Sequence, residues 1–251
     1  MHGEPLIEAA PRRTALVTGG SRGIGAEIAR LLAVRGLDVA INYRSKSLRA
    51  RGVAERVKAA GREALLLQAD LTDPEAVRRM AATVGEQWGH LDALVLNASG
   101  GLEQGSPAGY AAALNHHAQV RTVDELLPLM RAPGGCIAFV TSHWAHFYGK
   151  KPIFAAYLPI AESKRRGEDA LRARIPELAA RGVRLLVASG DLIEGTSTPR
   201  LLERAKPGVI AIRRRQIGRL PTVGEFATAI VDATLDPRLA TGHTVFVGDV
   251  D

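Results

Sequence analysis

A chain of 251 residues, 46% hydrophobic and 24% charged, carries enough apolar side chains to bury one large core and is read as a single domain. Its apolar runs stop short of the ~20 residues that cross a bilayer, its one cysteine, Cys136, excludes an internal disulfide framework, and the opening "MHGEPLIEAAPRRTAL" lacks the build of a secretory signal, so a cytoplasmic location is expected. The net charge of +7 suits phosphorylated or acidic ligands as well as a solvated basic surface, but no aromatic residues are interleaved with the basic stretches, and neither nucleic acid nor membrane is an expected partner.

Strand-like runs alternate with helical patterns along the chain. "TALVT" precedes a helix over 23–35, "DVAINY" a helix over 47–60, and "EALLLQA" a helix over 74–88. "DALVLN" precedes a helix over about 111–131, and "CIAFVTS" one ending near Arg181. "VRLLVAS", a helix over 222–235 and the strand "HTVFVGD" complete the series. This alternation, with strands apolar on both faces, predicts an α/β fold: a Rossmann-type doubly wound parallel sheet in one domain. Two irregular pieces, 98–110 and 189–221, follow strand ends, where open α/β sheets bind ligands. The second, containing "SGDLIEGTSTP", is expected to be a mobile substrate flap.

The most informative stretch is "ALVTGGSRGIGAEIARLLAVRG". A strand runs into Gly19, Gly23 and Gly25 and a helix starts at once, which brings backbone N–H groups and a helix N-terminus to a pyrophosphate. Glycine permits the tight turn and the close approach.

This Gly-x3-Gly-x-Gly spacing and the motifs behind it resemble the short-chain dehydrogenase/reductase family over the whole chain. The resemblance implies a nicotinamide dinucleotide held by the loop, with Ser21, Arg22 and Ile24 among its contacts. "ADLTD" places Asp70 and Leu71 at the adenine ring. "LVLNASGG" places Asn97, Ala98 and Ser99 at the family's Asn-Ala-Gly segment, with Ser99 inserted ahead of Gly100. Ile193, after the sixth strand, joins the cofactor set. At the end of the second strand stand Asn42, Tyr43 and Arg44, with no acid to meet the ribose hydroxyls. Arg44 and Arg22 suit a 2′-phosphate, so NADPH is expected over NADH.

The resemblance also implies roles in the chemistry. Tyr157 transfers the proton, Ser142 holds the substrate oxygen, Lys164 binds the ribose and lowers the tyrosine pKa, and Asn115 maintains a water relay. The usual family spacing is Tyr-x3-Lys, but Ile160 stands four residues before Lys164, and Tyr157 gives Tyr-x6-Lys. Both offsets return to nearly the same helix face, while the axial separation grows from about 6 Å to about 10.5 Å. Pro159 is compatible with a helix only in its first turn, which would put Tyr157 just before the helix.

Tyr-x6-Lys resembles the enoyl-acyl-carrier-protein reductases of the same superfamily, and Ser189-Gly190 in place of Pro-Gly points the same way. Three readings follow. The first is an NADPH-dependent reductase delivering hydride to a ketone, of an acyl or polyketide-like substrate. The second is an enoyl thioester reductase, and the third a lapsed catalyst that binds NADPH as a regulator or partner subunit. A small-molecule or carrier-bound acyl substrate and a homo-oligomer, dimer or tetramer, are the partners the family implies.

His116 and His117, adjacent on a helix, are expected to point apart. With His143 and His146 they lack metal-ligand spacing, and no metal is expected. "SHWAHFYGKKPIF" is the expected substrate wall, with Tyr148 as a second phenol. The basic run "RRRQIGR", 213–219, is either a solvated face or a landing site for an acidic carrier.

Overall fold

A computed structural model of the protein describes residues 11–103 and 105–250. The first half alternates strand and helix: β1 (Thr14–Val17), α1 (Gly23–Val34), β2 (Asp38–Tyr43), α2 (Ser47–Ala59), β3 (Ala64–Gln68), α3 (Pro74–Trp88) and β4 (Ala93–Leu96). A long helix follows in pieces: α4 (Tyr110–Ala112), a π turn over Ala113–His117, and α5 (Ala118–Leu126). Next come β5 (Cys136–Ser142), α6 (His143–His146) and a 3-10 turn (Ala155–Tyr157) that runs into α7 (Leu158–Ala173). The chain closes with α8 (Ile175–Ala180), β6 (Arg184–Gly190), α9 (Ser197–Ala205), α10 (Val209–Ile217), α11 (Val223–Leu235) and β7 (Thr244–Val247).

The strands form one parallel sheet in the order β3-β2-β1-β4-β5-β6-β7. The order reverses beside β1, which pairs with β2 on one edge and β4 on the other, Val17 facing Ile41 and Val95. A crevice opens there at the strands' carboxyl ends, because the connections leave in opposite directions. Both faces of the sheet are covered. Along β1 and β4, Ala15, Val17, Ala93 and Val95 pack with Ile28, Leu32 and Phe226, while Leu16, Leu94 and Leu96 pack with Val77, Val84 and Leu126. This period-2 split explains why the strands read as continuously apolar. Among the described residues no helix is long and apolar enough to cross a membrane.

The piece read as an irregular flap differs from that expectation, since it holds two helices, α9 and α10. Each is nine residues long and buries only one or two side chains, Pro199 and Leu202 in one and Val209 in the other. α9 is amphipathic, with Pro199 and Leu202 on its buried side, whereas α10 has too little apolar periodicity to announce a helix. Tertiary contacts hold them. A third apolar cluster, including Ala145, Tyr157, Ile160, Leu192 and Leu202, lies beneath, and Arg213 of α10 pairs with the buried Asp191 at 2.7 Å.

Candidate active site

The glycine loop is shaped by three different constraints. Gly19 has φ +62° and packs so closely that a Cβ would lie 3.0 Å from the Ala98 Cα. Gly23 has φ +54° with open space around it, so only its backbone conformation demands glycine. At Gly25 a Cβ would lie 2.5 Å from Asn97 Nδ2 and 2.6 Å from the Gly19 carbonyl oxygen, so this position lets the first turn of α1 close against the loop and the Asn97 side chain. Buried side chains fix the loop from below. Asn42 donates to the carbonyls of Leu67 and Ala69 and accepts from the Gly19 N–H. The Thr18 hydroxyl accepts from the N–H groups of Asn97 and Ala98 at 2.9 and 3.0 Å.

A cleft of about 1400 Å³ runs from this loop across the carboxyl ends of β1, β4, β5 and β6. Gly19, Ser21, Arg22, Gly23, Ile24, Gly25, Tyr43, Arg44, Asp70, Leu71, Asn97, Ala98, Ser99 and Ile193 all line it, with Ser142, Tyr157 and Lys164 at its other end. Asn115 does not. It is buried behind the wall, its side-chain N–H groups donating to Gly100 O and Ser163 Oγ while its oxygen accepts from Gly100 N–H. It sits in the π turn, and its carbonyl is so close to α7 that a Cβ on Gly167 would lie 2.3 Å from it.

The end expected to take adenosine is strongly cationic. Arg22, Lys46 and Arg49 line it and have no ion-pair partner among the described residues. Arg44 reaches across to Tyr110, its guanidinium 5.7 Å over the ring and bonded to the hydroxyl. Asp70 is turned inward to the hydroxyl and N–H of Thr72, at 2.7 and 2.9 Å. The one carboxylate of β2, Asp38, stands at the opposite end of the strand and is paired with Arg12 and Arg62, so no acid sits beside Arg44, and the cradle fits a dinucleotide.

At the other end Ser142 caps α6, accepting from the Ala145 N–H, and its Oγ lies 3.2 Å from the Tyr157 hydroxyl. Tyr157 ends the 3-10 turn, α7 begins at Leu158, and Pro159 falls in the first turn, where its missing N–H costs nothing. The phenol is therefore placed by the turn and by Trp144, whose ring meets it edge-on at 5.1 Å. Ile160 packs with Ala145, Leu192 and Leu202 in the cluster beneath α9 and α10. Burial raises the Tyr157 pKa and the Ser142 contact offsets only part of the rise. Burial lowers Lys164 to about 8, with the Glu168 carboxylate opposing it.

His143 is buried with Nδ1 2.8 Å from Ser189 Oγ, which gives the serine at the Pro-Gly position a partner. Burial pushes its imidazole down to about 4, so it is neutral at pH 7. His116 and His117 were expected to diverge, but their rings stack with centroids 4.4 Å apart, on a turn widened to π geometry. Of the "SHWAHFYGKKPIF" wall, Trp144, Phe147 and Phe154 line the cleft while Tyr148 packs into the apolar cluster. The basic run is largely self-neutralised: Arg213 pairs with Asp191, Arg214 with Glu194 and Arg219 with Glu225. Among the described residues no group of three or more His, Cys, Asp or Glu is placed to hold a metal.

Sequence reasoning missed Tyr110 and Glu168. The only signal for Tyr110 was an aromatic at the start of a helix after a strand-end loop, and for Glu168 an acid one turn past Lys164.

Comparison with known proteins agrees with this architecture. A family model described as short chain dehydrogenase matches residues 13–185. A 3-oxoacyl-[acyl-carrier-protein] reductase of Staphylococcus aureus is 45% identical over 86 residues, 34% of this chain and 35% of that enzyme, so the match spans about a third of the relative's length. The crystal structure of a short chain dehydrogenase from Burkholderia cenocepacia in complex with NADP superposes with TM-score 0.82 at 27% identity, covering 94% of this chain and 96% of that one. A blue fluorescent protein from a metagenomic library, in complex with NADPH, gives TM-score 0.80 at 28% identity, covering 94% and 96%. The family match spans well over half of the sequence on a fold shared almost end to end, and the chain belongs to the short-chain dehydrogenase/reductase family.

Proposed function

We propose that the protein is an NADPH-dependent reductase that delivers hydride to the carbonyl carbon of a ketone, acyl or polyketide-like, with Tyr157 as proton donor. The observation that carries this reading is the Ser142–Tyr157 hydroxyl pair, 3.2 Å apart at the opposite end of the cleft from the cation cluster. Two hydroxyls at that separation suit one carbonyl oxygen, which takes on negative charge as its carbon is reduced. NADPH, when bound, supplies the hydride. Ser142 holds the oxygen, and Tyr157 gives it the phenolic proton. A phenol raised by burial stays protonated at neutral pH, which favours an acid for reduction over a base for oxidation. Lys164, charged below about pH 8, supplies the positive field that stabilises the phenolate formed on donation.

Support for the cofactor comes from Arg22, Arg44, Lys46 and Arg49 at the adenosine end and from the NADP and NADPH complexes of the structural neighbours. Support for an acyl substrate, delivered by a carrier, comes from the reductase relative named for 3-oxoacyl carrier substrates. Assembly as a dimer or tetramer is the family expectation.

Purified protein with NADPH and matched 3-oxoacyl and enoyl thioesters tests the reading. NADPH oxidation with the 3-oxoacyl compound, falling by about 10²-fold or more in Tyr157→Phe, is expected. Turnover of the enoyl compound alone would make the protein an enoyl reductase, and NADPH binding without any turnover a lapsed catalyst.

A further inference from the structure

Glu168 is a buried carboxylate to which the mechanism above gives no part. It follows Lys164 by four residues in α7, so the two lie on one helix face about 6 Å apart along the axis. Its side chain is 0% exposed. Oε1 accepts from Nδ1 of His146 and from Nε of Arg172, both at 2.8 Å. Oε2 is buried without a hydrogen-bond partner among the described residues.

A purely structural tie between α7 and its neighbours does not require this arrangement. Arg172 reaches the Gly242 carbonyl at 2.8 Å and the Thr244 hydroxyl at 2.6 Å by itself, and a buried carboxylate oxygen without a donor is destabilising. Replacing a buried pair by apolar residues of similar size is often neutral or better for stability. What the carboxylate supplies that an apolar residue cannot is negative charge next to Lys164, in a place where water cannot screen it.

We propose that Glu168 is a positioning residue for the reaction, the buried counter-charge that keeps the Lys164 ammonium charged where it meets the cofactor. The proposal rests on the reading of Lys164 as a cofactor-binding residue. His146 and Arg172 lock the carboxylate from two sides, so its charge has a fixed place. Burial pushes the carboxyl up, and the hydrogen bonds from those two residues outweigh it and leave Glu168 ionised. The same burial lowers Lys164 to about 8, with Glu168 working against it. The surroundings define which charges act here. α7 itself contributes Arg165, 3.8 Å from the carboxylate, and Arg172. α6 contributes His146, and also His143, which faces Ser189. The turn before α7 contributes Tyr157, which faces Ser142. The π turn contributes His116 and His117, with Arg166 as the α7 charge acting on His116. On α8 and α5, Glu177 and Asp124 both pair with Arg174. The other α7 carboxylates, Glu162 and Asp169, pair with Arg166 and Arg165, so among the described residues Glu168 is the anion that acts on Lys164.

NADPH affinity, followed by cofactor fluorescence from pH 6 to 10 without substrate, reads the Lys164 charge apart from catalysis. The wild-type protein should lose affinity as pH rises through about 8. In Glu168→Gln the midpoint should fall by roughly one unit or more, the size expected for a unit charge lost at this distance. Affinity at pH 6 should stay within about threefold, and the alkaline limb of kcat should move with the binding midpoint. If Glu168→Gln does not fold, the double variant Glu168→Met with Arg172→Met removes the pair whole and should shift the midpoint in the same direction by less. A wild-type midpoint in either folded variant overturns the proposal. Failure of the underlying reading looks different: Lys164→Ala would then bind NADPH as tightly as wild type, or wild-type affinity would be flat through pH 8.

Discussion

Arg44, just after β2, and Tyr110 of α4 approach each other across the end of the cleft proposed for adenosine. The Tyr110 ring lies against Gly100, where a Cβ would meet its Cε1 at 3.2 Å, so the phenol and the guanidinium form one wall of the cradle. An arginine facing a phosphate makes charge-assisted bonds each worth roughly 1.5–3 kcal/mol. Arg44→Ala should therefore weaken NADPH binding by about 10–100-fold and leave NADH binding within about threefold, measured by fluorescence titration. Equal losses for the two cofactors would remove the 2′-phosphate assignment. Arg44 was legible because β2 ends in a place where the fold family reads its cofactor. Tyr110 was not, because a contact between residues 66 apart leaves no periodicity in the chain.

At the scale of elements, the junction of the π turn with α7 decides where the helix that carries Lys164 sits. Gly167 lies inside a sixteen-residue helix, where alanine would ordinarily gain about 1 kcal/mol. Its missing Cβ, however, lets the Asn115 carbonyl approach to a place only 2.3 Å from where that Cβ would be. Overpacking of this kind costs about 1–3 kcal/mol, so the clash wins. Gly167→Ala should lower thermal stability by about 2–4 °C per kcal/mol of net loss and reduce turnover, because α7 carries Lys164. A stabilised, fully active variant would show that the helices can separate without consequence. The placement of Tyr157 before a helix beginning at Leu158 followed from Pro159 alone, since a proline's missing N–H admits only the first turn. The π turn that sets Asn115 behind the wall had no such marker. In the flap, α9 and α10 are helices because Asp191, Arg213 and the apolar cluster hold them, and few of their own residues face inward.

For the whole molecule, the sheet order gathers residues from along the chain into one cleft, from Gly19 to Val250. A ligand that bridges those parts in the folded state and cannot do so in the unfolded chain stabilises by mass action, about 2.7 kcal/mol at a hundred times its Kd. For a chain of this size that corresponds to a rise in Tm of roughly 5–10 °C. NADPH at saturating concentration should produce such a rise in a thermal melt, and NADH at the same concentration a smaller one. No rise with either cofactor would refute dinucleotide binding itself.

The sequence by itself determined the alternation of strands and helices, the glycine loop, the arginine after β2, and Ser142, Tyr157 and Lys164 as candidate site residues. Each of these rests on local periodicity, on backbone conformations that only certain residues adopt, or on a motif of short range. Only the tertiary structure decided that Tyr157 meets Ser142 despite its longer spacing from Lys164, that Asn115 faces the wall and not the cleft, and that Glu168 lies buried among His146 and Arg172. Those outcomes depend on which helix faces are pressed together and how closely. Packing between distant segments settles such distances, and no pattern along the chain encodes them one residue at a time.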